Sequence, residues 1–200
     1  MEDIKDRLDE EEENLSPEER KKRKTAMIIR EILDWVGVIV TALVISLFLN
    51  FCIVVNAKVP SGSMEKTIMT GDRLFGGRLS YVFTEPKRGD IVIFKFPDDE
   101  KVLYIKRIIG LPGETVEVKD GGVYINGEKL KEDYLSVVTE GEFGPYEVPE
   151  DHYFMMGDNR NNSADSRYWH NTYLSRDKIV GKALFKYYPE MSIIKSGEYE

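Results

Sequence analysis

Apolar positions in this chain change their pattern near residue 58. From Trp35 to Val55 there are 21 consecutive residues without a charge. A helix rises 1.5 Å per residue and crosses the roughly 30 Å hydrocarbon core of a bilayer in about that many residues, so the run predicts a single transmembrane helix over 32–57. It is longer than the apolar core of about 7–15 residues in a secretory signal peptide, and it starts well inside the chain. Asn50 is its one costly residue, tolerable near the outer end of the span. Beyond Lys58 the pattern becomes strand-like. Asp90 to Phe96 ends at Pro97, and Val102 to Ile109 follows a charged turn over 98–101. Thr115 to Lys119 leads through Asp120-Gly121 to Val123-Tyr124-Ile125, and Asn126-Gly127 closes a hairpin. His152 to Met156 and Ile179 to Tyr188 complete the set. No long helical period follows the anchor, so 58–200 reads as a mostly β, antiparallel domain with a small insertion near 120–150.

Upstream of the span, residues 1–31 are acidic and then basic. The first fifteen are poor in apolar groups and predict disorder. Ser16-Pro17-Glu18-Glu19 is a helix start, with a capping serine, proline at the first helical position and acids in the first turn. Arg20-Lys21-Lys22-Arg23-Lys24 and Arg30 precede the span, whereas Lys58 and Lys66 follow it. The positive-inside bias therefore places the N-terminus in the cytoplasm and 58–200 outside.

Charge and composition narrow the chemistry. A net charge of −8, with no basic stripe interleaved with aromatics, argues against nucleic acid. Cys52 is the sole cysteine and lies within the apolar run, which excludes disulfides and cysteine-based zinc sites. His152 and His170 are too few for a His-rich metal site, and nothing in the chain calls for a cofactor.

Ser61-Gly62-Ser63-Met64 stands just past the span, and Lys106 lies 43 residues beyond Ser63. A serine hydroxyl needs a base before it can attack a carbonyl. In the strand around Lys106 the neighbouring side chains face opposite ways, and arginine does not give up its proton, so only Lys106, not Arg107, suits that task. Freeing its amine near neutral pH needs a shift of about 2–3 units from 10.4, roughly 3–4 kcal/mol. Burial alone can supply up to about 3–5 units. Read singly, Lys106 is equally a lysine snorkelling at a sheet edge, and Pro60-Ser61-Gly62-Ser63 is equally an ordinary turn. The Ser63 amide and the Ser61 hydroxyl have the makings of an oxyanion hole. Gly157 to Arg167 has the composition of a polar loop. As a calcium loop it fails, because Arg160 and Trp169 stand at the third and twelfth positions, where oxygen ligands are needed. Its alternating acids and arginines suggest a salt-bridged scaffold.

Taken in order, Pro60-Ser-Gly-Ser-Met64, Gly71-Asp-Arg73, Arg88-Gly-Asp-Ile-Val92, Tyr104 to Gly113 and Gly157 to Arg167 resemble the motifs of the type I (bacterial leader) signal peptidases. The resemblance runs from the anchor to about residue 190. It implies a mostly β domain containing a coiled, partly barrel-like sheet. It also implies a membrane-bound serine endopeptidase that removes signal peptides after small residues, at Ala-X-Ala type sites. Ser63 matches the nucleophile and Lys106 the general base. Ser61 matches the serine that assists the oxyanion hole, and Ser163 one that orients the lysine. Asp158, Asp165 and Arg167 match supporting residues. Exported preproteins, the phospholipid membrane and the secretion translocon are the implied partners, with no metal and no cofactor.

The chain departs from the family pattern at three places. Met64-Glu65-Lys66-Thr67 stands where many members carry Met-X-Pro-Thr, which predicts a relaxed turn. Asn161 replaces a frequent aspartate and His170 a frequent glycine. Three other readings remain open on the residues alone. They are a Ser/His/Asp hydrolase using His152 or His170, a Ser/Lys processing peptidase with a narrow substrate, and a membrane-anchored β module that binds exported chains without cutting them.

Overall fold

Ser16 begins the first element. Its hydroxyl accepts from the Glu19 amide at 3.4 Å while its own amide donates to the Glu19 carboxylate at 3.0 Å, a reciprocal capping box. Helix α1, Pro17–Phe48, then runs for 32 residues with all of its side chains exposed. The structure, a computed structural model, describes residues 16–49, 53–135, 137–197 and 199. The acidic stretch 1–15, Asn50 and Cys52 fall outside the described residues. The chain divides into two units, one through Leu49 and one after it. By length and composition α1 can cross a membrane, and its uncovered Ile, Leu and Val side chains are consistent with an anchor.

Among its described residues the second unit has twelve strands. Strands β1 (Val54–Lys58), β2 (Arg73–Gly77), β3 (Ile91–Phe96), β4 (Asp99–Gly110), β9 (His152–Met156), β10 (Leu174–Ser175), β11 (Ile179–Tyr188) and β12 (Ser192–Ile193) form the larger sheet. Its order is β1-β2-β11-β3-β4-β9-β10, with β12 on β11. Strands β5 (Thr115–Lys119), β6 (Gly122–Ile125), β7 (Glu128–Lys129) and β8 (Phe143–Glu147) form a second sheet in the order β7-β6-β5-β8. All pairings are antiparallel. The larger sheet does not close on itself, so the partly barrel-like element of the expectation gives way to an open sheet, with register irregularities along β11.

Strand β3 explains its own apolar run. Ile91 and Ile93 enter one core with Val55, Met64, Ile68 and Leu74, while Val92 and Phe94 enter another with Ile108, Met155 and Trp169. A central strand covered on both faces has no polar side to alternate. A third core, with Ile109, Val116, Val118, Phe154 and Met156, joins the two sheets. Both short hairpins of the smaller sheet turn as their sequences require. Asp120-Gly121 has φ of 48° and 72°, and Asn126-Gly127 has 50° and 85°, the left-handed pairs of a two-residue turn that matches strand twist.

Two boundaries differ from the sequence reading. The uncharged run does not end as helix: Val54 and Val55 belong to β1, and Val55 is buried in the first core. Lipid and protein core both select apolar residues, so hydropathy passes through the junction unchanged. The β3–β4 turn is Pro97-Asp98, because Phe96 pairs with Asp99, and the charged residues 99–101 already lie in β4.

Candidate active site

The loop between β1 and β2 is closed at its base by two backbone bonds of 2.9 Å, Val59 N donating to Asp72 O and Gly71 N to Val59 O. Inside it, Ile68 N donates to Met64 O at 2.8 Å, and the Met64 and Ile68 side chains are fully buried. This pins the tight turn that carries Ser63. Lys106 sits in the middle of β4 with 4% exposure, and its Nζ is hydrogen-bonded to Ser63 Oγ at 2.5 Å. The Tyr104 ring lies 5.4 Å from the same nitrogen. Burial pulls the Lys106 ammonium down from its ordinary value to about 8; the Asp165 and Asp158 carboxylates oppose that shift and the Arg167 cation adds to it.

Arg107, the next residue, reaches a different set of partners. Its Nε and Nη2 donate to the two oxygens of Asp158 at 2.8 and 2.6 Å, and both side chains are almost fully buried. Asp158 also accepts from Thr67 Oγ1 at 2.6 Å, three residues past Met64. Asn159 N donates to Ser63 O and Asn159 Nδ2 to Gly62 O, each at 3.0 Å. The segment after β9 thus ties the serine turn to the lysine strand. Further along, Asp165 accepts from Arg167 Nε at 2.8 Å and from Gly157 N at 3.0 Å, and Arg167 Nη2 donates to Arg160 O at 2.6 Å. Asp165 and Arg167 have no exposed side-chain surface. The alternating acids and arginines form the salt-bridged scaffold that their composition suggested.

Ser61 lies exposed on the wall of a cleft of about 510 Å³ that also contains Ser63 and Lys106. Val59 and Ile68 line it too, as does Ala164. Ser163 is buried, but its Oγ makes no hydrogen bond among the described residues, so the expected bond to the lysine is not formed here. His152 and His170 share a separate shallow pocket with Tyr173, away from Ser63. Among the described residues no three His, Cys, Asp or Glu side chains gather as a metal site. Two strand edges flank the cleft. β1 ends the sheet, and β4 is free from Asp99 to Lys106 on the side where β9 pairs only from Arg107 onward. Free backbone groups on such edges accept an extended peptide as an added strand. A buried amine on a serine hydroxyl, beside such edges, is an arrangement able to perform acyl transfer.

The departures from the family pattern have structural counterparts. Lys66 takes φ of 82°, a left-handed conformation closed to a proline ring, so the turn is rebuilt here, where the sequence reading expected relaxation alone. Asn161 accepts from Glu140 N at 3.0 Å and donates to Val138 O at 3.1 Å. An aspartate could only accept. Thr67, Asn159, Glu132 and Arg160 escaped the sequence reading as contributors. Thr67 and Asn159 sit inside quoted motifs and were within reach, whereas nothing local marks Glu132.

A family model described as "Signal peptidase, peptidase S26" matches residues 32–188. Signal peptidase I T of Bacillus subtilis is 40% identical over 189 residues, covering 90% of this chain and 95% of that protein. Probable signal peptidase I-2 of Synechocystis sp. is 41% identical over 155 residues, 75% of this chain and 70% of that one. A crystal structure of a signal peptidase I from Enterococcus faecalis is 37% identical, with a TM-score of 0.45 over 50% of this chain and 97% of that one.

Proposed function

Because the chain belongs to the type I signal peptidases, serine peptidases of the S26 family that remove signal peptides from exported preproteins, we propose that it does so with Ser63 as nucleophile and Lys106 as general base. The observation that carries this reading is the 2.5 Å contact between a buried Lys106 Nζ and Ser63 Oγ. The neutral amine takes the Ser63 proton as the hydroxyl oxygen bonds to the scissile carbonyl carbon. The resulting oxyanion is held by the Ser63 amide and the Ser61 hydroxyl. The charged amine then returns its proton to the leaving nitrogen as the peptide bond breaks, and a water activated by Lys106 releases the acyl group. Ser163, buried with a free hydroxyl, is the proposed orienting group for the lysine, and Asp158, Asp165 and Arg167 hold the frame. The extended cleavage region lies along β1 and β4, with small side chains of an Ala-X-Ala type site entering pockets beside Val59 and Ile68. The basic residues Arg20 to Lys24 and Arg30, in the first half of α1, support a cytoplasmic N-terminus and a cleft on the outer side, with lipid and the translocon as neighbours.

Cleavage of a model preprotein in detergent micelles by wild type and Ser63→Ala tests the core of this reading. Cutting at the signal junction by wild type alone is expected, and equal cutting by Ser63→Ala removes it. The pH profile has a defined sign. Only the neutral amine accepts a proton and its pKa is about 8, so kcat/KM rises about tenfold per unit below that value and levels off above it. A flat profile from pH 6 to 9 contradicts the lysine base. Gly157 supplies a third check. A Cβ there would overlap Ser63 O and Ser163 Oγ, and the displaced turn should lower cleavage by Gly157→Ala about a hundredfold. Wild-type rates in that variant would show that the turn has room to spare.

A further inference from the structure

Arg107 is held on every side. In its plane, Asp158 and the Gly89 carbonyl accept its hydrogen bonds, the latter at 2.7 Å. Over its face lies the Tyr134 ring, whose centroid is 4.0 Å from the guanidinium carbon. Tyr134 is locked in turn. Its hydroxyl donates to Glu132 at 2.5 Å and accepts from Arg160 Nη2 at 3.1 Å and from the Tyr199 hydroxyl at 2.7 Å. One donor and two acceptor positions are all that a phenol offers, and each is used. Tyr134, Tyr199 and Glu132 do not line the cleft that holds Ser63 and Lys106.

Their influence on the reaction runs through Asp158. That carboxylate joins Arg107, neighbour of Lys106 in β4, to Thr67, while the next residue, Asn159, grips the Ser63 turn. We propose that Tyr134, fastened by Glu132 and Tyr199, is a positioning residue for signal peptide cleavage, holding Arg107 so that Asp158 keeps Ser63 and Lys106 in register. The inference rests on the Ser63 and Lys106 roles given above. Without the ring, water reaches the guanidinium and competes for Asp158, and the serine turn gains freedom relative to β4. The strand edges that bind substrate are untouched, so kcat falls while KM stays. The groups facing Lys106 are the Ser63 hydroxyl, the Tyr104 ring, the Asp158 and Asp165 carboxylates and the Arg167 guanidinium. An Asp158 less neutralised by Arg107 favours the ammonium form, which moves the acid limb of the rate profile to higher pH.

The experiment is steady-state preprotein cleavage from pH 6 to 10 by the full-length chain in micelles, as wild type, Tyr134→Leu, Tyr134→Phe and Tyr199→Phe, with rates expressed per folded molecule. For Tyr134→Leu, about tenfold lower kcat, KM within about twofold and an acid limb shifted upward are expected. Tyr134→Phe and Tyr199→Phe, which lose the hydroxyl ties and keep a ring, should fall about threefold with the same direction of shift. Wild-type kcat and an unmoved limb in Tyr134→Leu overturn the proposal, as does a loss that vanishes once unfolded protein is discounted. If Tyr134→Leu does not fold, Tyr134→Phe decides by the same two readings. Cleavage by Ser63→Ala or Lys106→Met in parallel would instead strike the underlying dyad.

Discussion

Lys106→Arg leaves a folded protein that does not cleave, with a loss of about 10³-fold or more. The substitution keeps a positive charge and a long stem in β4, so an electrostatic role alone would survive it. What it removes is the ability to be neutral. A guanidinium keeps its proton above pH 12, whereas burial has already brought the Lys106 amine to about 8. Ser63 Oγ then faces a permanent donor in place of an acceptor, and its proton has no destination. Preprotein cleavage by the purified variant, with a melting temperature measured alongside, separates chemistry from folding. Activity within tenfold of wild type would sink the lysine-base mechanism.

Asp158→Ala should lower stability by about 3–5 kcal/mol and abolish cleavage with it. The Arg107 side chain is 1% exposed and Asp158 2%, so removing the carboxylate strands a buried cation that cannot neutralise itself. Thr67 loses its acceptor in the same step. For a chain of this size the change corresponds to a fall of about 10 °C or more in melting temperature. Asp158→Asn keeps the shape and one acceptor, and should fall between the two. Denaturation in micelles followed by tryptophan fluorescence reports it, since Trp169 lies in the core beside Phe94. A fall under about 1 kcal/mol for Asp158→Ala would mean that water or a neighbouring group takes over the cation.

How well the chain could be read depended on whether a feature was local. Strand β3 and the hairpins at Asp120-Gly121 and Asn126-Gly127 were legible because burial on two faces and left-handed turns each demand a narrow set of residues at fixed spacing. That Lys106 and Arg107 reach different partners followed from strand alternation. β1 was hidden by its continuity with the apolar run, and β8 by residues that sit in a turn-rich stretch and pair with β5. The partners of Arg160 and Arg107 were out of reach. Glu132 and Tyr134 lie 28 and 26 residues from Arg160 in a segment without periodicity, and only the folded chain makes them neighbours.

The joint at Asp158 also sets a timetable. Ser63 and Lys106 are both in place once residue 106 is made, but Asp158, Asn159, Asp165 and Arg167, which bring and hold them together, come some 50–100 residues after one or the other. From Lys106 to Asp158, about a quarter of its elongation, a growing chain therefore carries the serine turn and the lysine strand without the bonds that tie them together. A product that ends before Asp158 lacks those ties and is expected not to cleave a preprotein.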